Sequence, residues 1–247
     1  LAIIIHAFYF DIFVEIINFL KNNNAAESTL YITSPYELSE KIRECLKNTT
    51  LIYKYLPVEN LGRDILPFLK ILPLTLNDGH QLILKIHTKK SDHRKTGRLW
   101  REDLYNKLLK ESAMKQALAI FNADHTVGLI GAPGHIVPMN LYYGANACKV
   151  ESIGRAMGVP SSEFSNLNFP AGSMFYARKQ ALIPILNLEL ADNDFEKENG
   201  QNDGTMAHAV ERAFAISTLA ANLKMVDTSF DQMKGNLNII KDHPYIY

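Results

Sequence analysis

Apolar positions along the first 90 residues fall into short blocks whose period switches back and forth. Ile3 to Phe8 is a nearly continuous apolar, β-branched run, the composition of a strand buried in a parallel sheet. Behind it, Ile12, Ile16 and Phe19 share one helical face, with Asp11 ahead of them as cap and Asn22-Asn23-Asn24 as stop. The alternation repeats: Leu30 to Thr33 predicts a second strand, Pro35 to Lys47 a second helix and Leu51 to Leu56 a third strand. Ile65 to Leu72 predicts a helix that tolerates Pro67 in its first turn, and Gln81 to Ile86 a fourth strand. Strands alternating with helices imply an α/β fold: a mostly parallel, Rossmann-type sheet flanked by helices and wound with right-handed crossovers. Ligands of such sheets bind beyond the carboxyl ends of the strands.

The pattern loosens afterwards. Helices are predicted over Leu99–Leu109 and Met114–Phe121, strands at Val127–Ile130 and Phe169–Ala177 (the latter interrupted by Gly172), a long helix over Asp203–Ala221 and a short strand at Met225-Val226. The polar, acidic stretch Ala191 to Asp203 reads as a loop. No linker or repeat divides the chain, so one domain is expected over 1–247. Because the numbering opens inside a strand, a piece of a longer protein is expected.

Charge narrows the partners. Lys plus Arg and Asp plus Glu each number 26, so nothing draws the whole molecule to nucleic acid, and an anionic ligand needs a local cluster. No apolar run is long enough to span a bilayer, and the first residues lack the charged start of a signal peptide. Cys45 and Cys148 have no CxxC spacing and suit a reducing cytoplasm.

Four segments are candidates for chemistry. His87-Thr88-Lys89-Lys90-Ser91-Asp92-His93-Arg94-Lys95 follows the fourth strand directly. Cations and hydroxyls there are placed to hold a diphosphate, which favours ligand roles for His87 and Lys89 and a solvated basic loop for Arg94 and Lys95. In Glu59-Asn60-Leu61-Gly62-Arg63-Asp64, Gly62 permits a tight turn, Arg63 suits phosphate and Asp64 suits a ribose or base; a turn glycine, surface arginine and helix cap account for it equally well. In Phe169 to Arg178, Gly172 and Ser173 mark either a bulge that a ligand approaches or a kinked core strand. In Glu198 to Arg212, Asp203 presents a carboxylate at a helix start, where it serves as base or as N-cap, and His208 stands one turn on. His6 and Tyr9 close the first strand as ligand contacts or packed rings, and Asp192-Asn193-Asp194 is a DxD string that sits in the acidic loop rather than at a strand end, a weak metal candidate. P-loop, GxGxxG, GxSxG and HExxH are absent.

Together, His6-Ala7-Phe8-Tyr9, Pro57 to Ile65, Leu84 to Ser91, Phe169 to Phe175 and Gly200 to His208 resemble, in order, the rhamnan synthesis protein F family. The likeness runs from the first strand to about Leu219. It implies a GT-A-like fold, with a nucleotide-binding half of about 1–131 and an acceptor half of about 132–247, and a rhamnosyltransferase-like activity that draws on a nucleotide-sugar donor such as dTDP-rhamnose. The acceptor would be a growing bacterial surface glycan, lipid-linked acceptors included, and other polysaccharide-assembly domains or enzymes would be partners. The implied place is the cytoplasm, or the inner face of the membrane. It also implies Asp203 as catalytic base and His6, Asn60, Gly62, Arg63, Asp64, His87, Lys89, Gly172, Ser173 and His208 around the donor. GT-A enzymes carry a metal-binding DxD where this chain has His87-Thr88-Lys89, so no cofactor and a metal-independent site are expected. A non-catalytic glycan- or nucleotide-binding module is the alternative. A nucleotidyltransferase would need metal-binding carboxylates at strand ends.

Overall fold

The structure is a computed structural model that describes residues 1–23, 28–47, 49–90, 96–164, 166–230, 239, 241 and 243–245. Residues 91–95 of the basic segment, and Asn24 of the first helix stop, lie outside the described residues.

One sheet holds seven strands: β1 (Ala2–His6), β2 (Thr29–Pro35), β3 (Tyr53–Val58), β4 (Leu82–His87), β5 (Val127–Gly131), β8 (Phe175–Arg178) and β9 (Lys224–Asp227). Their order across the sheet is β3-β2-β1-β4-β8-β5-β9. β8 runs antiparallel to both its neighbours, and the other pairs are parallel. This is the expected mostly parallel α/β sheet, with one reversed strand. A second sheet pairs β6 (Ile136–Pro138) with β7 (Asn168–Pro170).

Side chains alternate across the sheet and so divide the core in two. Ala2, Ile4, Tyr31, Ile83 and Phe175 face one layer, with α3 (Ile65–Asn77), α6 (Ala147–Ala156), α8 (Lys179–Leu186) and α9 (Met206–Ala220). Ile3, Ile5, Leu30, Leu84 and Tyr176 face the other, with α1 (Phe10–Asn22), α2 (Ser39–Lys47), α4 (Gly97–Leu108) and α5 (Glu111–Ala123). Both faces of β1 are covered, which is why its apolar run is unbroken. A four-residue helix, α7 (Ser161–Phe164), precedes β7.

Several boundaries differ from expectation. Tyr9, not Asp11, is the N-cap of α1, and Asp11 lies in the first turn. Pro35 to Lys47 divides into the end of β2, a 3-10 turn and α2. The run from Phe169 to Ala177 is two strands in two sheets, because the backbone reverses through positive φ at Gly172 and Ser173. Thr205, not Asp203, caps α9.

From β3 at one edge the chain crosses through α3 to β4, on the other side of β1. The switch point therefore falls between β1 and β4, where His6 and His87 are register partners at the carboxyl ends. Thr88 joins the two ends: its N–H donates to His6 O at 3.0 Å, and its hydroxyl accepts Phe8 N and Tyr9 N at 2.8 and 2.9 Å.

Candidate functional site

A cleft of about 450 Å³ opens beside that switch point, on the α3/α9 side of the sheet. Arg63, Asp64, His87, Lys89, Gly172, Ser173, Asp203 and His208 all line it. The loop after β4 and the start of α9 thus share one cavity. His6, Asn60 and Gly62 do not line it. His6 is buried, with Nδ1 3.0 Å from Thr33 Oγ1; Asn60 is exposed. A Cβ on Gly62 (φ +66°) would meet Leu66 Cβ at 2.6 Å and Phe195 Cδ1 at 2.7 Å, so packing and backbone geometry both demand glycine there.

Lys85 organises the cleft floor. It is 1% exposed in an otherwise apolar strand. Its three ammonium donors are all used, on Asp64 Oδ2 at 2.5 Å, Ser173 O at 2.8 Å and Ser173 Oγ at 2.9 Å. The rings of Phe68, Phe175 and Phe214 surround it, with centroids 5.4–5.9 Å away. Asp64 stands at the N-cap of α3 but makes no cap bond, because its carboxylate is turned to Lys85. The lysine also fixes the left-handed Ser173 (φ 55°), which follows Gly172 at φ +87°.

His87 Nδ1 lies 3.3 Å from Asp64 Oδ2 without the alignment of a hydrogen bond. Burial, only partly offset by Asp64, pushes this imidazole down to about 3, so it is neutral at pH 7. Burial likewise lowers His6 to about 4. For Asp64, burial opposes ionisation, while His87 and Lys85 favour it. With His87 neutral, the Lys85 ammonium is the charge that holds the carboxyl well below its usual range. Lys89 carries its ammonium 3.8 Å above the Trp100 ring.

The opposite wall is the start of α9. Asp203 Oδ2 accepts Ala145 N at 2.9 Å, and Oδ1 accepts Asn146 Nδ2 at 2.5 Å. Buried Asn146 returns the contact, since its Oδ1 accepts Gly204 N at 3.1 Å. Burial alone would raise Asp203, but the Ala145 and Asn146 donors hold it below the ordinary carboxylate value. His208 is pushed down to about 4, by burial first and by Arg63 second. Its Nδ1 sits 2.8 Å from Thr205 Oγ1 and accepts the Thr205 N–H at 3.4 Å, which leaves Nε2–H as the ring's donor. Arg63 (φ 55°) is tied to the loop before α9: Glu198 accepts its N–H at 3.0 Å, and Gln201 O accepts its guanidinium.

Trp100 and Tyr142 also line the cleft and escaped the sequence reading, and Phe169, Glu211 and Arg212 line it too, although the sequence reading placed them in candidate segments without giving them a role. Glu211 and Arg212 stand three and four residues after His208, so helical spacing alone would have put them on its face. Lys85 was visible as a lone charge inside an apolar strand. The chain's last described residues pack against Trp100. His243 Nε2 is 3.0 Å from His135 Nδ1, His135 Nε2 is 2.7 Å from Asp103, and Tyr245 stacks on Trp100.

Asp192-Asn193-Asp194 lies elsewhere: Asp192 pairs with Lys70 at 2.6 Å, and Asp194 accepts Ala191 N. Among the described residues, no group of three His, Cys, Asp or Glu side chains is arranged to hold a metal ion, and no helix is long and apolar enough to cross a membrane.

Two relatives from Xanthomonas campestris pv. campestris, both named WxcX, align over the whole chain. The protein of strain B100 is 32% identical, and that of strain ATCC 33913 is 31% identical, over 246 residues each. The chain spans 35% of the length of either. Among solved structures, 4-diphosphocytidyl-2C-methyl-D-erythritol synthase from Anaerococcus prevotii DSM 20548 superposes with a TM-score of 0.46 at 11% identity, covering 98% of this chain and 89% of that protein. The sequence profile described as rhamnan synthesis protein F matches residues 1–223, and the chain belongs to that family.

Proposed function

We propose that this domain is a glycosyltransferase that moves a sugar from a nucleotide-diphosphate donor onto a growing bacterial cell-surface polysaccharide, and that its donor is a rhamnose nucleotide such as dTDP-rhamnose. The family supports a role in rhamnan synthesis. The observation that carries the reading further is one cleft whose strand-end wall holds His87 and Lys89 and whose helix-start wall holds Asp203.

The chemistry is a single inverting displacement. The acceptor hydroxyl oxygen bonds to the anomeric carbon and gives its proton to Asp203. The bond from that carbon to the diphosphate oxygen breaks, and its electron pair leaves with the diphosphate. Ala145 N and Asn146 fix the carboxylate's orientation beforehand. Lys89, Arg63 and neutral His87 meet the charge that develops on the leaving group. Gly172 and Ser173 form the floor beneath the sugar. The donor set does not suit a divalent cation: His87, at the end of β4, supplies a single imidazole, the Lys89 ammonium that follows repels a cation, and the nearby Asp64 carboxylate already holds the Lys85 ammonium. The reading therefore includes metal independence. It puts the enzyme in the cytoplasm or at the inner face of the membrane, beside other polysaccharide-assembly domains.

A thermal-shift panel of nucleoside diphosphates and nucleotide sugars, followed by a transfer assay, tests this. Thymidine diphosphate compounds should stabilise the protein selectively, and transfer should survive excess chelator. Asp203→Asn should keep donor binding and abolish transfer; near-normal turnover removes Asp203 from the role. One observation favours a second reading, a non-catalytic binding module: both Asp203 oxygens are engaged and the group is a weakened base. Ligand-induced stabilisation with neither transfer nor donor hydrolysis would select it.

A further inference from the structure

Glu211 plays no part in the mechanism above, yet it stands within the cleft. It lies three residues beyond His208 on α9, on the same helical face. Its Oε1 accepts the Gly172 backbone N–H at 2.9 Å. Gly172 sits at φ +87° in a turn that Lys85 holds through Ser173, so the carboxylate is anchored to fixed backbone. Its Oε2 is 3.6 Å from the Arg212 guanidinium. That separation exceeds a hydrogen bond, so Oε2 keeps its acceptor capacity.

Lys89 stands on the strand-end side of the cavity, whereas Glu211 and Asp203 stand on the α9 side, with Arg212 beside Glu211. A diphosphate offers Glu211 no hydrogen-bond donor, so the ligand part that suits it is uncharged and rich in hydroxyls. A fixed carboxylate with acceptor capacity to spare suits a sugar, which presents hydroxyls on its edge. We propose that Glu211 Oε2 accepts a hydrogen bond from a ring hydroxyl of the donor sugar and thereby sets the sugar specificity of the cleft. This inference rests on the sugar-transfer reading.

Glu211→Gln is the informative variant. Its amide oxygen still accepts the Gly172 N–H, while the second oxygen becomes an N–H donor. Isothermal titration of the full chain would use thymidine diphosphate with dTDP-rhamnose, and uridine diphosphate with UDP-glucose as a second pair. The parent should bind one sugar nucleotide more tightly than its own diphosphate. The variant should bind that diphosphate with little change and lose about tenfold in affinity for the sugar nucleotide. An unchanged ratio in the variant, or equal loss for both ligands, overturns the role; equal loss would make Glu211 only a prop for Gly172. A parent that binds a diphosphate and its sugar nucleotide equally also overturns it, and leaves nucleotide binding standing. A parent that binds neither pair overturns the sugar-transfer reading and this inference with it.

Discussion

Replacing Lys85 with methionine should destabilise the protein strongly. Methionine keeps much of the volume among Phe68, Phe175 and Phe214 but removes every donor. Asp64, whose side chain is 16% exposed, then loses the cation 2.5 Å away. Ser173 loses partners on both its carbonyl and its hydroxyl. Breaking a buried pair by removing one partner costs about 3–5 kcal/mol. For a domain of this size that corresponds to a fall in Tm of about 6–20 °C. Urea unfolding at pH 7 measures the loss directly, and pH supplies the diagnostic. In the parent, the Asp64 carboxyl is held below its unfolded value of 3.8, so the pairing stabilises above that value and the benefit fades as pH falls through the folded one. In the variant, burial without the cation raises Asp64, and the sign reverses. The gap between the proteins should therefore narrow from pH 7 towards pH 5. Adding Asp64→Leu should restore much of the loss, since no lone buried charge remains. A single-variant loss below about 1 kcal/mol would refute the reasoning, because that is the scale of a solvent-exposed pair, and the larger cost follows only where the charges are shielded from water.

Acid should unfold the parent early. Burial holds His6 and His135 near 4 and His87 near 3 in the fold, against 6.5 unfolded, so their contribution is complete above 6.5 and drains away as pH falls towards 4. By pH 5 each costs on the order of 2 kcal/mol, and the urea midpoint should drop by more than half; an unchanged midpoint contradicts the buried neutral state. Gly172→Ala forces a side chain into φ +87° with 3.2 Å contacts to Leu104 and Trp100. It should cost roughly 1–2 kcal/mol in a thermal or urea melt and reduce transfer more than diphosphate binding; a variant as stable as the parent defeats this account. Lys89→Met should weaken thymidine diphosphate binding about tenfold in titration and flatten its salt dependence; parent-like affinity would take Lys89 out of the site.

Much of this architecture was readable from period alone. β1, β4 and β5 announce themselves, because strands covered on both faces have few other ways to look. The halves of the cleft were readable too, since cations directly after a buried strand and a carboxylate at a helix start are placed by local rules. Long-range choices were hidden. Nothing local says that Asp64 turns away from its own helix to meet Lys85, or that Thr205 takes the α9 cap while Asp203 holds Ala145 and Asn146. β6 and α8 escaped for a related reason. A three-residue strand has almost no periodicity, and the proline inside α8 masks its pattern. The Phe169 to Ala177 run shows how a composition signal misleads, since two buried strands either side of a tight turn look like one interrupted strand.

The reversed strand has a consequence for how the chain assembles. β1 to β4 can pair as they emerge, but β5 cannot join them directly, because the place beside β4 belongs to β8. That strand arrives only at Phe175, some way after β5 ends at Gly131. Until then the β4 edge stays open, and Lys85 lacks its Ser173 partners. An unpaired apolar edge is a template for other chains, so the interval before β8 inserts is the hazardous stage of synthesis. Closing that gap joins the two halves of the molecule and completes the floor of the cleft in a single event.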